Sequence, residues 1–220
     1  MTREATNRAM VVQRLTEWRI VAVVRGDSWE EAVQIGRALA RGGIRALEVT
    51  MTVPQATQAL EALSQELGES VLLGAGSLTT REQAQDSLLA GAHFLVSPAV
   101  VSEVIEVGQQ RGTATIPGAL TPSEILTAMR AGADMVKVFP VSAMGGPSYI
   151  KALLEPLPWL KLVPTGGVTL GNLGEFLAHG AACVGLGGAL IPRALVKAED
   201  WEGLTAHARK FAQAVRHSPS

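Results

Sequence analysis

Short apolar runs recur along the chain at a regular interval: IVAVVR (20–25), RALEVT (45–50), VLLGAG (71–76), HFLVSP (93–98), ATIPG (114–118), MVKVFP (135–140), KLVPTGG (161–167) and ACVGLGG (182–188). Each is β-branched or aliphatic without a polar alternation, the pattern of a strand buried on both faces. Between them lie amphipathic stretches such as SWEEAVQIGRALARGG and TPSEILTAMRAGA, whose spacing predicts helices. Ser28, Thr80 and Thr121 stand where N-caps are expected, and Gly42, Gly91 and Gly132 where helices stop. A last helix over roughly 199–215 puts Trp201, Leu204, Ala208, Phe211 and Val215 on one stripe, which reads as core packing.

The even-numbered strands share a lead-in, GGIRALEV, AGAHFLVS, AGADMVKV and HGAACVGL, so the chain repeats with a period of two βα units. Eight strands alternating with helices predict an α/β fold of the (β/α)₈ TIM-barrel type as one domain over residues 1–220, with residues 1–10 and 216–220 as frayed ends. An open doubly wound sheet is the alternative. It would more often carry GxGxxG after the first strand, where this chain has RGDSWEEA.

Composition narrows the function classes. A chain of 220 residues that is 47% hydrophobic can bury one large core, and a formal net charge of −1 leaves no basic field for nucleic acid or an anionic membrane surface. Neither is expected as a partner. Cys183 is the single cysteine, and His93, His179, His207 and His217 have no ligand spacing to one another, so no disulfide, metal or cofactor is expected. A reducing cytoplasm fits this usage. The N-terminal MTREATNRAMVVQRL lacks the apolar run of a signal peptide, and every apolar run is far shorter than the roughly 20 residues of a membrane-spanning helix.

One of the five lysines, Lys137, interrupts the apolar run from 135 to 139. Side chains alternate across a strand, so Met135, Lys137 and Phe139 share a face, and a barrel with Val136 and Val138 packed outward turns Lys137 inward. The same reading of RALEVT turns Glu48 inward. Desolvation disfavours an ammonium and supplies the neutral amine that attacks a ketone, while the carboxylate moves the protons a Schiff-base reaction requires. A buried structural ion pair is the competing reading of these two residues. Lys151, Lys161, Lys197 and Lys210 fall in helical, loop or strand-opening contexts and carry no such signal.

Strands seven and eight end in PTGGV (164–168) and GLGGAL (185–190), where the amides of Gly166, Gly167, Gly187 and Gly188 can approach an anion closely. Arg25, Ser77 and Thr165 add a cation and two hydroxyls suited to a carboxylate. Taken singly, each of these is equally a turn or cap residue.

The ordered set AVVRG, ALEVTMTVP, LLGAGS, FLVSP, IPGALTPSE, VKVFP and VPTGGV resembles the bifunctional family of 2-keto-3-deoxy-6-phosphogluconate and 4-hydroxy-2-oxoglutarate aldolases, over roughly residues 12 to 192. The resemblance implies a class I, metal-independent aldolase on a (β/α)₈ barrel, cytoplasmic and homotrimeric, that releases pyruvate from a 2-keto-4-hydroxy acid. It implies that Lys137 forms the Schiff base, that Glu48 is the acid/base, and that Ser77 holds the pyruvate carboxylate. Phe139 and Pro98 then line the pocket, Thr165 lies beside the imine, and Gly166 and Gly167 belong to a phosphate loop. Two positions depart from the pattern. Where some members have arginine after EVT this chain has Thr52, leaving the substrate anion to Arg25, and where a serine often faces the phosphate it has Gly188. A sugar-phosphate-binding barrel without aldolase activity is the alternative function.

Overall fold

The computed structural model describes residues 8–216, in which strands and helices alternate. The first half runs α1 (Arg8–Trp18), β1 (Ile20–Val24), α2 (Trp29–Arg41), β2 (Ala46–Thr50), α3 (Ala56–Leu67), β3 (Leu72–Gly76), α4 (Arg81–Leu89), β4 (Phe94–Val96) and α5 (Ser102–Arg111). The second runs β5 (Ala114–Ile116), β6 (Gly118–Ala119), α6 (Pro122–Arg130), β7 (Val136–Val138), α7 (Pro147–Leu154), β8 (Leu162–Pro164), α8 (Leu173–Ala178), β9 (Val184–Leu186), α9 (Arg193–Lys197) and α10 (Trp201–Arg216). Helix starts are set by local chemistry. Ser28, Thr80 and Thr121 each accept a hydrogen bond from the amide three residues on, and Thr121 with Glu124 completes a capping box.

All strand pairs are parallel and curl into two sheets, one of six strands ordered β5-β4-β3-β2-β1-β9 and one of three ordered β6-β7-β8. The run ATIPG, expected as one strand, is two, because Pro117 has no N–H for the ladder. That break gives nine strands among the described residues instead of eight. Contact between the sheets continues at both junctions: Lys137 N–H donates to the Pro117 carbonyl at 2.9 Å, and Thr165 bridges Gly185 in parallel register.

Burial on both strand faces explains the missing alternation. Ala22, Val24, Leu47, Val49, Leu73, Val136 and Val138 face the helices and join their apolar stripes in one cluster. Val21, Ala46, Leu72, Phe94, Ile116, Met135, Val163 and Cys183 face the other way, onto the concave side, and form a second cluster closed from below by Val11, Val12 and Leu15 of α1. Each buried Val, Leu, Ile, Phe or Met among them contributes about 1.5–3 kcal/mol. In α10, Leu204, Ala208, Phe211 and Val215 are buried on one stripe, with Trp201 packed partly buried at its start.

Helix α1 begins at Arg8, inside the stretch expected to fray. Arg8 is anchored there, its Nε donating to Asp134 Oδ1 at 2.5 Å and its Nη2 to the Gly132 carbonyl at 2.6 Å. Likewise α10 continues to Arg216. Residues 1–7 and 217–220, His217 among them, lie outside the described residues. No described helix is long and apolar enough to cross a membrane.

Candidate active site

Above the apolar layer the concave side changes character. On β2 the residue one pleat beyond Ala46 is Glu48, and on β7 the residue one pleat beyond Met135 is Lys137. Lys137 Nζ donates to Glu48 Oε1 at 3.4 Å, with Glu48 2% and Lys137 7% exposed. Burial pushes the Glu48 carboxyl above its ordinary value of 4.5, while the Lys137 ammonium and, more weakly, Arg25 pull it back down.

Room for this carboxylate comes from the neighbouring strand. A Cβ on Gly76 would stand 2.0 Å from Glu48 Oε1, so no larger residue fits there without displacing the acid. On the opposite side the Lys137 ammonium lies 5.5 Å from the centre of the Phe139 ring, a cation–π contact.

Lys137 opens into a cavity of about 330 Å³ whose walls include Arg25, Ser77, Pro98, Phe139, Thr165 and the four glycines Gly166, Gly167, Gly187 and Gly188. Glu48 lies behind the lysine and is not on the wall. Gly166 and Gly167 have φ of +85° and +86°, a backbone that favours glycine, and Asn172 Nδ2 ties the turn by donating to the Gly167 carbonyl at 3.0 Å. Ser77 sits at φ 61°, uncommon for a residue with a side chain. The Thr165 hydroxyl donates to the Val163 carbonyl at 3.2 Å.

Thr52 stands apart from this cavity. It lines a neighbouring one of about 400 Å³ that shares Val23, Arg25, Gly187 and Gly188 with the first. Its hydroxyl accepts from Arg25 Nη1 at 3.4 Å and meets the buried Thr50 hydroxyl at 2.7 Å, so Thr50 and Thr52 orient Arg25. Sequence reading passed over Thr50 and Gly76, and set Lys197 aside as a lysine in a helical or loop context. The structure puts Lys197 on the wall of the second cavity together with Arg193. The signal was available in RALVK, a cation pair four residues apart just after the GLGG turn.

A third cavity, of about 380 Å³ around Trp18, Ile20 and Arg45, lies at the other end of the strands. Among the described residues no group of three or more His, Cys, Asp or Glu is placed to hold a metal.

Residues 11–207 match the family model described as Aldolase: KDPG and KHG aldolase, the abbreviations standing for 2-keto-3-deoxy-6-phosphogluconate and 4-hydroxy-2-oxoglutarate. The chain is 38% identical to the 2-dehydro-3-deoxy-phosphogluconate aldolase of Treponema pallidum over 93% of its own length and 97% of that protein's. It is 32% identical to the KHG/KDPG aldolase of Escherichia coli, over 92% of this chain and 94% of that one. Among solved structures, the KDPG aldolase of Legionella pneumophila, captured with pyruvate as a covalent carbinolamine, superposes with a TM-score of 0.83 at 33% identity, covering 93% of this chain and 97% of that one. A match of this length, in sequence and in backbone, places the chain in the KDPG and KHG aldolase family.

Proposed function

We propose that this chain is a class I aldolase that cleaves a 2-keto-4-hydroxy acid, 2-keto-3-deoxy-6-phosphogluconate or 4-hydroxy-2-oxoglutarate, with Lys137 as the nucleophile and Glu48 as the acid/base. The observation that carries the reading is the buried 3.4 Å contact between Glu48 Oε1 and Nζ of Lys137, the lysine that lines the cavity. Because burial raises the carboxyl, Glu48 is suited to take the ammonium proton and leave a neutral amine.

That amine adds to the C2 ketone to give a carbinolamine, and Glu48 returns the proton to the departing water. The resulting protonated imine draws in the electron pair of the C3–C4 bond as the C4 hydroxyl gives up its proton to the Glu48 carboxylate. The bond breaks to an aldehyde, glyceraldehyde 3-phosphate or glyoxylate, and an enamine. Glu48 delivers that proton to C3 of the enamine, and water hydrolyses the resulting imine to release pyruvate and restore Lys137. Ser77 and Arg25 bind carboxylate in this scheme, Phe139 and Pro98 form the walls, Thr165 lies beside the imine, and the amides of Gly166, Gly167, Gly187 and Gly188 face the distal group. Thr52 acts through Arg25.

The same reading takes the two sheets as arcs of one (β/α)₈ barrel in a single domain. The Pro117 and Thr165–Gly185 junctions support it. Homotrimeric assembly and a cytoplasmic location follow from the family resemblance.

The test is pyruvate release coupled to lactate dehydrogenase, with the two substrates compared at matched concentrations. Release from either supports the reading. Release from neither, with thermal stabilisation by sugar phosphates alone, would make Lys137 and Glu48 a structural pair in a binding protein.

A further inference from the structure

Lys137 and Glu48 stand on different sheets, and β5, the last strand of the six-stranded one, pairs only with β4 among the described strands. Pro117, just beyond β5, has no amide to offer β7. What crosses this junction is centred on Asp134, the residue before Met135 and three before Lys137. Its amide donates to the Thr115 carbonyl at 3.1 Å, and the Thr115 amide donates back to Asp134 Oδ2 at 2.9 Å. Met135 N–H reaches the same Thr115 carbonyl at 3.4 Å. A side-chain carboxylate here takes the place of a ladder carbonyl.

That carboxylate is itself held. Its Oδ1 accepts from Arg8 Nε at 2.5 Å, while Arg8 Nη2 donates to the Gly132 carbonyl at 2.6 Å. An exposed ion pair would decide little. The Asp134 side chain, however, is only 13% exposed, and one of its oxygens serves the backbone amide of the buried Thr115. Removing it strands that amide as well as a guanidinium. Further along β7 the Lys137 amide donates to the Pro117 carbonyl at 2.9 Å, and on the other side Val136 N–H donates to the Lys161 carbonyl at 3.0 Å. The backbone beneath the reactive lysine is therefore fixed at its foot by Asp134 and at the lysine by Pro117.

We propose that Asp134, oriented by Arg8, is a positioning residue for the reaction at Lys137: its carboxylate clamps the foot of β7 to β5 and so fixes the reach from Lys137 Nζ to Glu48 Oε1. The inference rests on the aldolase reading and adds to it a residue that touches neither substrate nor reacting atoms. At about 3.3 Å of rise per residue, Asp134 acts from roughly 10 Å below the lysine, through the strand. A displacement of about 1 Å at a reacting group costs on the order of 10²-fold in rate, and loosening one of several ties costs less. Arg25, Ser77 and the glycine turns keep their own supports, so the loss falls on kcat.

The experiment compares the parent with Asp134→Ala, Asp134→Asn, Arg8→Gln and a control, Glu66→Ala, which removes the Arg37–Glu66 ion pair between α2 and α3. Pyruvate release is followed with whichever of the two aldol substrates the parent turns over, normalised to folded protein by circular dichroism. Asp134→Ala should lower kcat roughly 10- to 30-fold with KM within about threefold. Asp134→Asn should recover most of that loss, because its amide oxygen still accepts the Thr115 N–H. Arg8→Gln leaves the Thr115 bond in place and should lower kcat by about threefold, which carries the test if Asp134→Ala does not fold. Glu66→Ala should leave both constants unchanged. An unaltered kcat in Asp134→Ala and Arg8→Gln, a loss confined to KM, or no recovery in Asp134→Asn would overturn the proposal.

Amide hydrogen exchange reads the clamp without turnover. In Asp134→Ala the Lys137 amide should exchange about tenfold faster or more while those of β2 keep their parent rates. Equal changes in the two strands would overturn the clamp. If the parent releases no pyruvate from either substrate, the aldolase reading fails, and exchange alone decides whether Asp134 holds β7: selective loss of protection at Lys137 sustains the clamp, and none removes it.

Discussion

The lower and upper layers of the concave side are built by the same strands, one pleat apart, and behave as different materials. Below stand Ala46, Leu72, Met135, Val163 and Cys183, packed with α1. Two residues further along each strand stand Glu48, Gly74, Lys137, Thr165 and Gly185. Both layers contain a buried ionisable group. Among the described residues nothing offsets the burial of Cys183, which pushes its thiol up to about 12 and leaves it neutral. Burial pushes Glu48 up as well, but an ammonium 3.4 Å away keeps a proton exchangeable between them. Burial alone silences a group, and burial beside an opposite charge makes it usable.

The contrast can be broken most sharply at Lys137. Lys137→Ala should cut turnover by about 10⁴-fold or more and abolish borohydride trapping of pyruvate on the protein. Persistent labelling of the mutant would remove the lysine from the mechanism. Glu48→Gln should keep some trapping while kcat falls about 10²–10⁴-fold.

The same variant tests the electrostatics. With its carboxyl raised above 4.5, the folded chain holds a proton that the unfolded chain releases. This contribution to stability is complete below that value and is lost as pH rises through the raised one. Glu48→Gln should flatten that part of the urea-stability profile, and an unchanged slope would assign it to other groups. Gly76→Ala should cost roughly 10²-fold in activity, because the new methyl would stand 2.0 Å from Glu48 Oε1 and displace it. Smallest on chemistry is Leu72→Ala in the lower layer, which should cost about 2–5 kcal/mol in urea denaturation while activity per folded molecule stays within about threefold. A large catalytic loss there would show that the layers are not separable.

Strand positions, helix caps and the inward facing of Lys137 and of Glu48 were legible because each depends on period-two alternation or on side-chain chemistry within three or four residues. Alternation assigns a face but not what stands across from it. Gly76 looks like any strand glycine until its strand is paired with β2, where it stands opposite Thr50 and a Cβ on it would meet the Glu48 carboxylate. Lys197 reads as one more lysine in a helical or loop context until the fold sets it on one cavity wall with Val23 and Arg25. The break at Pro117 was visible as a proline, but the division of the sheet at that point depends on which neighbour its missing N–H would have served. Pairings between distant segments are what local pattern does not encode.

The residues proposed as nucleophile and acid/base are carried by different sheets, Lys137 by the three-stranded one and Glu48 by the six-stranded one. Their 3.4 Å separation is thus set by how firmly the sheets are held at the Pro117 and Thr165–Gly185 junctions. The catalytic distance works as a gauge of that joint, and a slight parting of the sheets on warming would quench turnover while the helices still give their full circular dichroism.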